Sequence, residues 1–403
     1  MNNHQIHRLT GPDRVRKRPA VLFGADDITG VQQAVLHLLE IFAAEAMLGH
    51  CTRLSVVQRG TELEISGNDR GLYLGQDTGD DRVWQALFCE IYPAPACPPD
   101  HGERTLSLCA LPHHTLYGDP QPADPLFLPE EAGCFELYIT QCACRYMDVS
   151  VRRGGILSTL RFRRGLCAEG ICHTPTLGPN GTCFRFQPDE EVFRQTRIPA
   201  AFFLEALENF AMLCPGLQCS FTDSEGRHTV FLYEKGIADY VCKHSPLPSY
   251  SSTLRATGNL RGSQTVYEAC VQVAIAYTPG GGSAKCLHNF RPLTCGGAHY
   301  RQLQRQLFLT FRDCFAPGLP DEPALLEALQ KHFSVALVSW CDPHCSRWEN
   351  GARQSIGNRL IAELTCNAVG DAFAQYVRTH QEQLRPLWET VAAEKLSDHK
   401  YNI

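Results

Sequence analysis

The sequence lacks the features that would place it in a membrane, secreted or zinc-dependent class of protein. No apolar run approaches the roughly 18 residues that a membrane helix needs, and no signal-peptide core follows the N-terminus, so we expect a cytoplasmic location. The 20 cysteines include no C-x-x-C pair; the closest pairs are Cys142 with Cys144, and Cys341 with Cys345 around His344. Structural zinc sites usually combine two close pairs, so we expect no bound metal and interpret most cysteines as small buried residues.

Charge is also sparse. Charged residues make up 20% of the 403 residues, and the formal net charge is −6. This balance does not indicate a general affinity for the phosphate backbone of nucleic acids. Together with a hydrophobic content of 44%, it is typical of a soluble globular protein. The length predicts two domains or slightly more.

One stretch near the N-terminus has the clearest local pattern. A helix is predicted from Val31 to Leu48, because apolar residues recur at three-to-four spacing. His37, Ile41 and Glu45 follow one another at i, i+4 and i+8, so their side chains lie close together on another face of that helix. Two strands, 54–58 and 62–66, are predicted about a turn at Gly60. Near the other end of the chain, residues 359–383 are predicted to form one closing helix.

Several sequence motifs and their spacing resemble the ATPase end of the B subunit of bacterial DNA gyrase, a member of the GHKL ATPase family. The motifs are VRKRPAVLFG, TGVQQAV, GHC and DRGLYLG within residues 15–75, followed by NGTCFRF, YEKGIADYV and CGGAH at 180–186, 233–241 and 295–299. The resemblance implies a mixed α/β fold. A GHKL (Bergerat-type) α/β sandwich would span 1–233, a transducer domain like domain 2 of ribosomal protein S5 would span 234–393, and a tail would span 394–403. The resemblance covers no TOPRIM domain, so we expect no DNA cleavage by this chain itself.

In that family three side chains on one helix face carry the chemistry. A glutamate activates the attacking water, an asparagine holds magnesium, and a second glutamate pairs with an arginine. The corresponding residues here are His37, Ile41 and Glu45. Ile41 has no lone pair for magnesium, which prefers oxygen ligands. His37 is either a general base, which imidazole chemistry allows, or a helix residue with no catalytic role, and we favour the second interpretation.

Two further parts of the family's ATP machinery differ in this sequence. The catalytic lysine of the transducer falls on Asn350, which cannot supply a positive charge to a transferring phosphate. The adenine anchor, an aspartate in the motif D-D-G-R-G, falls on Gly67 when the motifs are aligned without a gap. A slip of one residue would put Asn68 there and a slip of two residues Asp69, but the ungapped alignment keeps RGLYLG in register and is preferred.

The segment that corresponds to the family's ATP lid is rich in proline. Residues 93–129 contain nine prolines, which exclude a continuous helix or a central strand. The glycine-rich phosphate loop that ends the lid retains only Gly133, and Glu130 and Glu131 stand where phosphate would bind. The N-terminal arm, residues 1–7, lacks the tyrosine that in gyrase reaches the partner's nucleotide. We therefore expect no closure of this lid over a nucleotide.

Eight residues are expected to line what remains of the ATP pocket: Ile41, Glu45, Gly67, Arg70, Gly71, Gly133, Arg152 and Thr182. Glu45 and Arg70 match the family's salt-bridged pair, and we expect them to brace the helix against the following loop. The joint departure of base, metal ligand, anchor, phosphate loop and lysine argues against ATP turnover. We therefore expect no cofactor and no metal.

The leading hypothesis is a non-catalytic pseudoenzyme that keeps the ATPase and transducer folds and acts by binding itself, a topoisomerase subunit or DNA. DNA contact would use basic residues that could equally be a solvated strand face: Arg152, Arg153, Arg161, Arg163 and Arg164, and more weakly Arg301, Arg305 and Arg312. The alternative is a divergent subunit of a type II topoisomerase that still binds ATP and magnesium, with the cleavage parts on another chain. A remnant without a selected role is the third hypothesis.

Overall fold

The computed structural model describes residues 9, 11–76, 78–90, 134–259, 266–319, 323–341, 345–351 and 353–398. The predicted arm, the lid, Glu130, Glu131 and Gly133 lie outside these residues. The chain divides into two compact units, Met1–Leu232 and Tyr233–Ile403. Among the helices in the described part of the chain, none is long and apolar enough to cross a membrane.

The first unit is built on an eight-stranded sheet with the strand order β5-β4-β3-β6-β2-β1-β7-β8. Neighbouring strands are antiparallel except β1 and β7, which run parallel. The strands are β1 (Arg53–Arg59), β2 (Glu62–Gly67), β3 (Cys144–Arg153), β4 (Ile156–Arg163), β5 (Leu166–Pro175), β6 (Gly181–Pro188), β7 (Gln218–Thr222) and β8 (His228–Phe231). The two strands predicted about Gly60 are β1 and β2, whose alternating apolar side chains bury one face of the sheet.

Six helices belong to the described part of this unit: α1 (Asp13–Arg16), α2 (Pro19–Phe23), α3 (Ile28–Met47), α4 (Arg82–Phe88), α5 (Cys134–Cys142) and α6 (Ala200–Leu213). Helix α3 starts three residues before the predicted helix, because the Asp27 side chain accepts a hydrogen bond from the Thr29 amide at 2.9 Å and caps the N-terminus. Almost all of α3 is buried, including its apolar stripe. It is therefore the central helix of the unit, and it carries the predicted site.

The second unit contains a five-stranded sheet with the order β12-β11-β13-β10-β9. Its strands are β9 (Tyr250–Asn259), β10 (Val266–Tyr277), β11 (Ala284–His288), β12 (Arg291–Pro292) and β13 (Phe333–Cys341), and only β11 and β13 pair in parallel. Its helices are α7 (Ile237–Cys242), α8 (Ala298–Phe315), α9 (Pro323–Gln330), α10 (Arg359–Val369), α11 (Asp371–Thr379) and α12 (Gln381–Asp398). Leu303, Leu307 and Phe311 of α8 are buried in one core with β10 and α10.

The prediction of one closing helix over 359–383 is wrong. Helix α10 ends at Val369, α11 ends at Thr379, and α12 begins at Gln381. Gly370 has φ −63° and ψ −121°, which is outside the helical region and breaks the hydrogen-bond ladder. Glycine adopts such a conformation at little cost, and the apolar periodicity on either side conceals the break.

Candidate functional site

The three side chains predicted to share one face of α3 are all buried. Their exposed fractions are 7% for His37 and 0% for Ile41 and Glu45. The Nε2 atom of His37 lies 2.8 Å from the side-chain nitrogen of Gln33, one turn earlier on the helix, and the imidazole stacks on the Phe23 ring. A general base must reach the water that it activates. The buried ring of His37 instead contacts Gln33 of its own helix and Phe23 of α2.

Gly67, the residue that the ungapped alignment puts at the adenine anchor, ends β2 opposite Thr182 of β6. A Cβ atom added to Gly67 would lie 2.4 Å from Cδ1 and 2.8 Å from Cε1 of Phe42. Phe42 is fully buried on α3, and its ring packs edge-on against Phe184 at a centroid distance of 6.0 Å. The Phe42 ring therefore occupies the space into which any side chain at position 67 would project.

A buried carboxylate nevertheless contacts Thr182, and it belongs to Asp69. One Asp69 oxygen accepts a hydrogen bond from the Thr182 amide at 2.7 Å, and the other accepts from the Thr182 hydroxyl at 2.8 Å and from the Gly71 amide at 3.2 Å. The Thr182 hydroxyl also accepts from the Leu72 amide at 3.2 Å. The residue reached by a two-residue slip thus makes the carboxylate contact. The alignment of the motifs could not predict this contact, because strand register does not show how far a loop side chain reaches.

Glu45 and Arg70 form the predicted ion pair. The Arg70 guanidinium donates from Nη2 to Glu45 Oε1 at 2.7 Å and from Nε to Oε2 at 3.0 Å, a bidentate geometry. The pair joins α3 to the loop after β2. In the same loop Gly71 has φ +79°, and a Cβ there would lie 2.3 Å from the carbonyl oxygen of Arg152, so only glycine fits. Arg152 itself is exposed near the end of β3.

In the second unit, Asn350 lies in the loop after β13, where its side-chain oxygen accepts a hydrogen bond from the Gln354 amide at 2.9 Å. The preceding residue, Glu349, accepts from the Arg301 guanidinium at 2.5 and 3.2 Å and from the Ser355 hydroxyl at 2.5 Å. The hydrogen bonds from Arg301 and Ser355 hold the pKa of Glu349 below its usual value. Asn350 is therefore an uncharged side chain that stabilises this loop through the Gln354 amide.

Most of the arginines proposed for DNA contact are paired with carboxylates. In the first unit Arg163 contacts Asp148 at 2.6 Å and Arg161 contacts Glu169 at 3.6 Å, both on the outer face of β4. Other pairs are Arg164 with Glu191, Arg301 with Glu349, and Arg312 with Asp313; Arg305 lies on α8. These pairs neutralise much of the positive charge that a phosphate backbone would need.

The described residues contain no group of three His, Cys, Asp or Glu side chains arranged to hold a metal ion. The cysteines whose side chains the structure describes form no disulfide bond. Burial raises the pKa of the thiols of Cys51 and Cys142 to about 12, so both stay protonated at neutral pH. They behave as small buried residues.

The fold defines the class of the protein. It is a mixed α/β protein with two sheets, a GHKL-type sandwich followed by a transducer. The 43K ATPase domain of Thermus thermophilus gyrase B, solved with an aminocoumarin, has a TM-score of 0.68 at 18% identity and covers 97% of this chain and 98% of its own. The gyrase B protein of Myxococcus xanthus has a TM-score of 0.67 at 15% identity over 95% of this chain and 99% of its own.

At the level of sequence, the chain is a distant homologue of the N-terminal ATPase and transducer region of these topoisomerase proteins. It is 23% identical over 406 residues to the B subunit of DNA topoisomerase 4 from Salmonella typhimurium, covering 97% of this chain and 59% of that protein. It is 26% identical over 399 residues to the B subunit of DNA gyrase from Halalkalibacterium halodurans, covering 95% and 57%. The chain thus spans less than two thirds of these relatives. No family model matches it.

Proposed function

We propose that this protein is a pseudoenzyme of the type IIA topoisomerase B-subunit kind, which acts by binding a partner and does not bind or hydrolyse ATP. The observation that carries the proposal is the Phe42 ring, which fills the space beside Gly67 and opposite Thr182. The resemblance places the adenine at this point. An aspartate at position 67, the residue that anchors adenine in the family, could be accommodated only if Phe42 moved away from Phe184 and out of a close-packed core.

The chemical groups support the same conclusion. Ile41 offers no ligand to magnesium, His37 is packed against Gln33 and Phe23, and Asn350 brings no positive charge. Loss of a general base alone usually lowers a rate by about 10²–10⁴-fold. The simultaneous loss of metal ligand and cation removes the electrostatic stabilisation on which phosphoryl transfer depends.

The partner that we propose is another topoisomerase-type subunit or a second copy of this chain. The relatives that match the chain are named as subunits of topoisomerases, and the chain has the fold of a solved gyrase B domain. DNA is the less favoured partner, because Arg161, Arg163 and Arg301 already pair with carboxylates.

A divergent ATP-binding subunit is the second candidate, and one observation favours it. Asp69 bonds to Thr182 through both carboxylate oxygens, and Glu45 remains paired with Arg70. Against this candidate, the Asp69 carboxylate already accepts three hydrogen bonds from the protein and is 1% exposed. The carboxylate therefore has little remaining capacity to accept a hydrogen bond from an adenine amine.

A titration with ATP and a non-hydrolysable analogue, with and without magnesium, separates the two candidates. We expect no saturable binding up to about 1 mM nucleotide, which corresponds to a standard binding free energy weaker than about −4 kcal/mol. An ATPase fragment of gyrase B serves as the positive control under the same conditions. Saturable, magnesium-dependent binding by this chain would reject the pseudoenzyme and establish the divergent ATP-binding protein.

A further inference from the structure

The second unit contains a cleft of about 350 Å³ between the start of β11, helix α8 and the end of α9. This volume lies within the range of about 300–1,000 Å³ that is typical of small-molecule sites. Its apolar wall consists of Tyr300, Leu303, Leu307, Phe333 and Val335. The cleft contains none of the residues that the resemblance assigns to nucleotide chemistry.

Two opposite charges line the same cleft. Glu327 lies in the last turn of α9, Lys331 is the first residue after that helix, and both are exposed. Neither forms an ion pair with any other residue in the described part of the chain. An apolar wall is thus bordered by one carboxylate and one ammonium group.

An amide donor lies at the charged end of the cleft. The side-chain oxygen of Gln330 accepts a hydrogen bond from the Gln304 amide at 3.0 Å. The side-chain nitrogen of Gln330 is buried and has no hydrogen-bond partner among the described residues. A buried donor without an acceptor is costly, so an acceptor supplied at this point would be stabilising.

We propose that this cleft binds a free amino acid with an apolar side chain. The carboxylate of the ligand pairs with Lys331, its ammonium group pairs with Glu327, and its side chain packs against Leu303, Leu307 and Val335. Gln330 donates to the ligand carboxylate after the terminal torsions of Gln330 and Gln304 both turn, so that the Gln304 oxygen accepts the second hydrogen of the Gln330 amide. A simple fatty or aromatic acid would leave Glu327 unpaired and would bring a second carboxylate close to it. A simple amine would leave Lys331 unpaired. An amino-acid zwitterion therefore matches the two charges of the cleft best.

Ligand-observed NMR and calorimetry with L-phenylalanine and L-leucine test the proposal on the full chain. The comparison ligands are phenylpropanoate and phenethylamine, each of which lacks one of the two charges. We expect saturable binding of both amino acids at one site and at least about tenfold weaker binding of each comparison ligand. Absence of saturation by both amino acids up to about 10 mM, or equal affinity for phenylpropanoate, would overturn the proposal.

Surface variants locate the site without disturbing the core. Glu327→Gln and Lys331→Met each remove one exposed charge, and each is expected to weaken amino-acid binding by about tenfold. Lys243→Met removes an equally exposed lysine outside the cleft and should leave the affinity unchanged. Wild-type affinity in both cleft variants would place any observed binding elsewhere and reject the assignment.

Discussion

Phe42 and Gly67 are complementary residues of the first unit, because the ring of one fills the volume that a side chain on the other would need. The contact is enforced from both sides: Phe42 is fully buried on α3, and Gly67 is held by the β2–β6 pairing opposite Thr182. A larger residue at 67 would collide with an aromatic ring, and a smaller residue at 42 would leave a void. The pair therefore leaves no room for a side chain at position 67.

Replacement of Phe42 by alanine is therefore expected to destabilise the first unit strongly. Removal of a buried phenylalanine ring costs about 3–5 kcal/mol, through lost burial and the cavity left behind. Urea unfolding followed by circular dichroism measures the loss. Val21→Ala, at a residue that is 77% exposed, is the control and should change stability by less than about 0.5 kcal/mol. A cost below about 1 kcal/mol at Phe42 would show that the ring is not packed as described.

His37 allows a second test with single residues. We expect no magnesium-dependent ATPase activity above background in the wild type, and none in His37→Ala, because the imidazole packs against Phe23 and Gln33 instead of facing a bound water. A coupled phosphate-release assay on both proteins measures this. Turnover in the wild type that is lost in His37→Ala would identify His37 as the base and reject the pseudoenzyme.

At the scale of elements, α3 is fixed to its neighbours by charge as well as by apolar packing. The Glu45 carboxylate is fully buried, and the bidentate contact from Arg70 ties the helix to the loop after β2. A buried carboxylate is tolerated only while it is paired and hydrogen-bonded. The ion pair, which the resemblance associates with a nucleotide pocket, thus has a structural role in this chain.

Arg70→Ala should destabilise the first unit by about 3–5 kcal/mol, because it leaves the Glu45 carboxylate buried without its cation. Glu45→Gln in the Arg70→Ala background should recover part of this loss, since a neutral amide costs less to bury. The matched control is Arg359→Ala, whose partner Glu363 is exposed, with an expected cost below about 0.5 kcal/mol. If Arg70→Ala lowers the free energy of unfolding as little as Arg359→Ala does, the Glu45–Arg70 pair does not brace α3. Chemical unfolding of the four proteins supplies the comparison.

Two buried histidines make the second unit sensitive to pH. Burial lowers the pKa of His288 to about 3 and that of His299, on α8, to about 4; each is also lowered by a nearby positive group, and Glu349 opposes the shift of His299. Between these values and the ordinary histidine pKa the unfolded chain binds more protons than the folded chain, so stability rises with pH and falls as the solution is acidified.

When the pH falls from 7 to 5, each histidine should therefore lower the free energy of unfolding of the second unit by about 2 kcal/mol. Unfolding of the wild type and His299→Leu at both pH values measures the effect. The variant is expected to lose about half of the pH dependence, because only His288 then remains. An unchanged pH dependence in His299→Leu would show that this histidine is not buried in its neutral form.

The pattern of apolar residues was sufficient to predict α3, β1 and β2, because their burial repeats at helical or strand spacing. It could not predict the end of α10, where a single glycine, Gly370, changes the backbone direction. The apolar periodicity of α3 includes Phe42, but it gave no sign that the ring fills the space beside Gly67. That contact joins residues 25 positions apart on a helix and a strand, and no local period encodes it. The hydrogen bonds between Asp69 and Thr182 could not be predicted for the same reason, because they also join distant segments of the chain.

At the scale of the whole molecule, the described residues form two folded units and share the fold of the solved gyrase B ATPase domain, and we propose that the chain no longer responds to ATP. A ligand shifts a conformational equilibrium only by its differential affinity for the two states. In the pseudoenzyme that we propose, ATP has no contact by which to favour one state over another, because Phe42 excludes a side chain at position 67 and Ile41 offers no metal ligand. Association, if it drives the function, must then be set by the protein surfaces themselves.

We therefore expect an oligomeric state that does not depend on nucleotide: either a constitutive dimer or a monomer that awaits a partner protein. A shift from about 1% to 99% of one state would require a ligand to bind that state about 10⁴-fold more tightly, which the proposed loss of the ATP contacts excludes. Sedimentation velocity with and without a non-hydrolysable ATP analogue and magnesium measures this directly, and a gyrase B ATPase fragment provides the nucleotide-responsive control. The Arg70→Ala variant, which loosens α3 without touching Phe42, should sediment with the same indifference to the analogue if it remains folded. Dimerisation of the wild type driven by the analogue would reject the pseudoenzyme and promote the divergent ATP-binding protein.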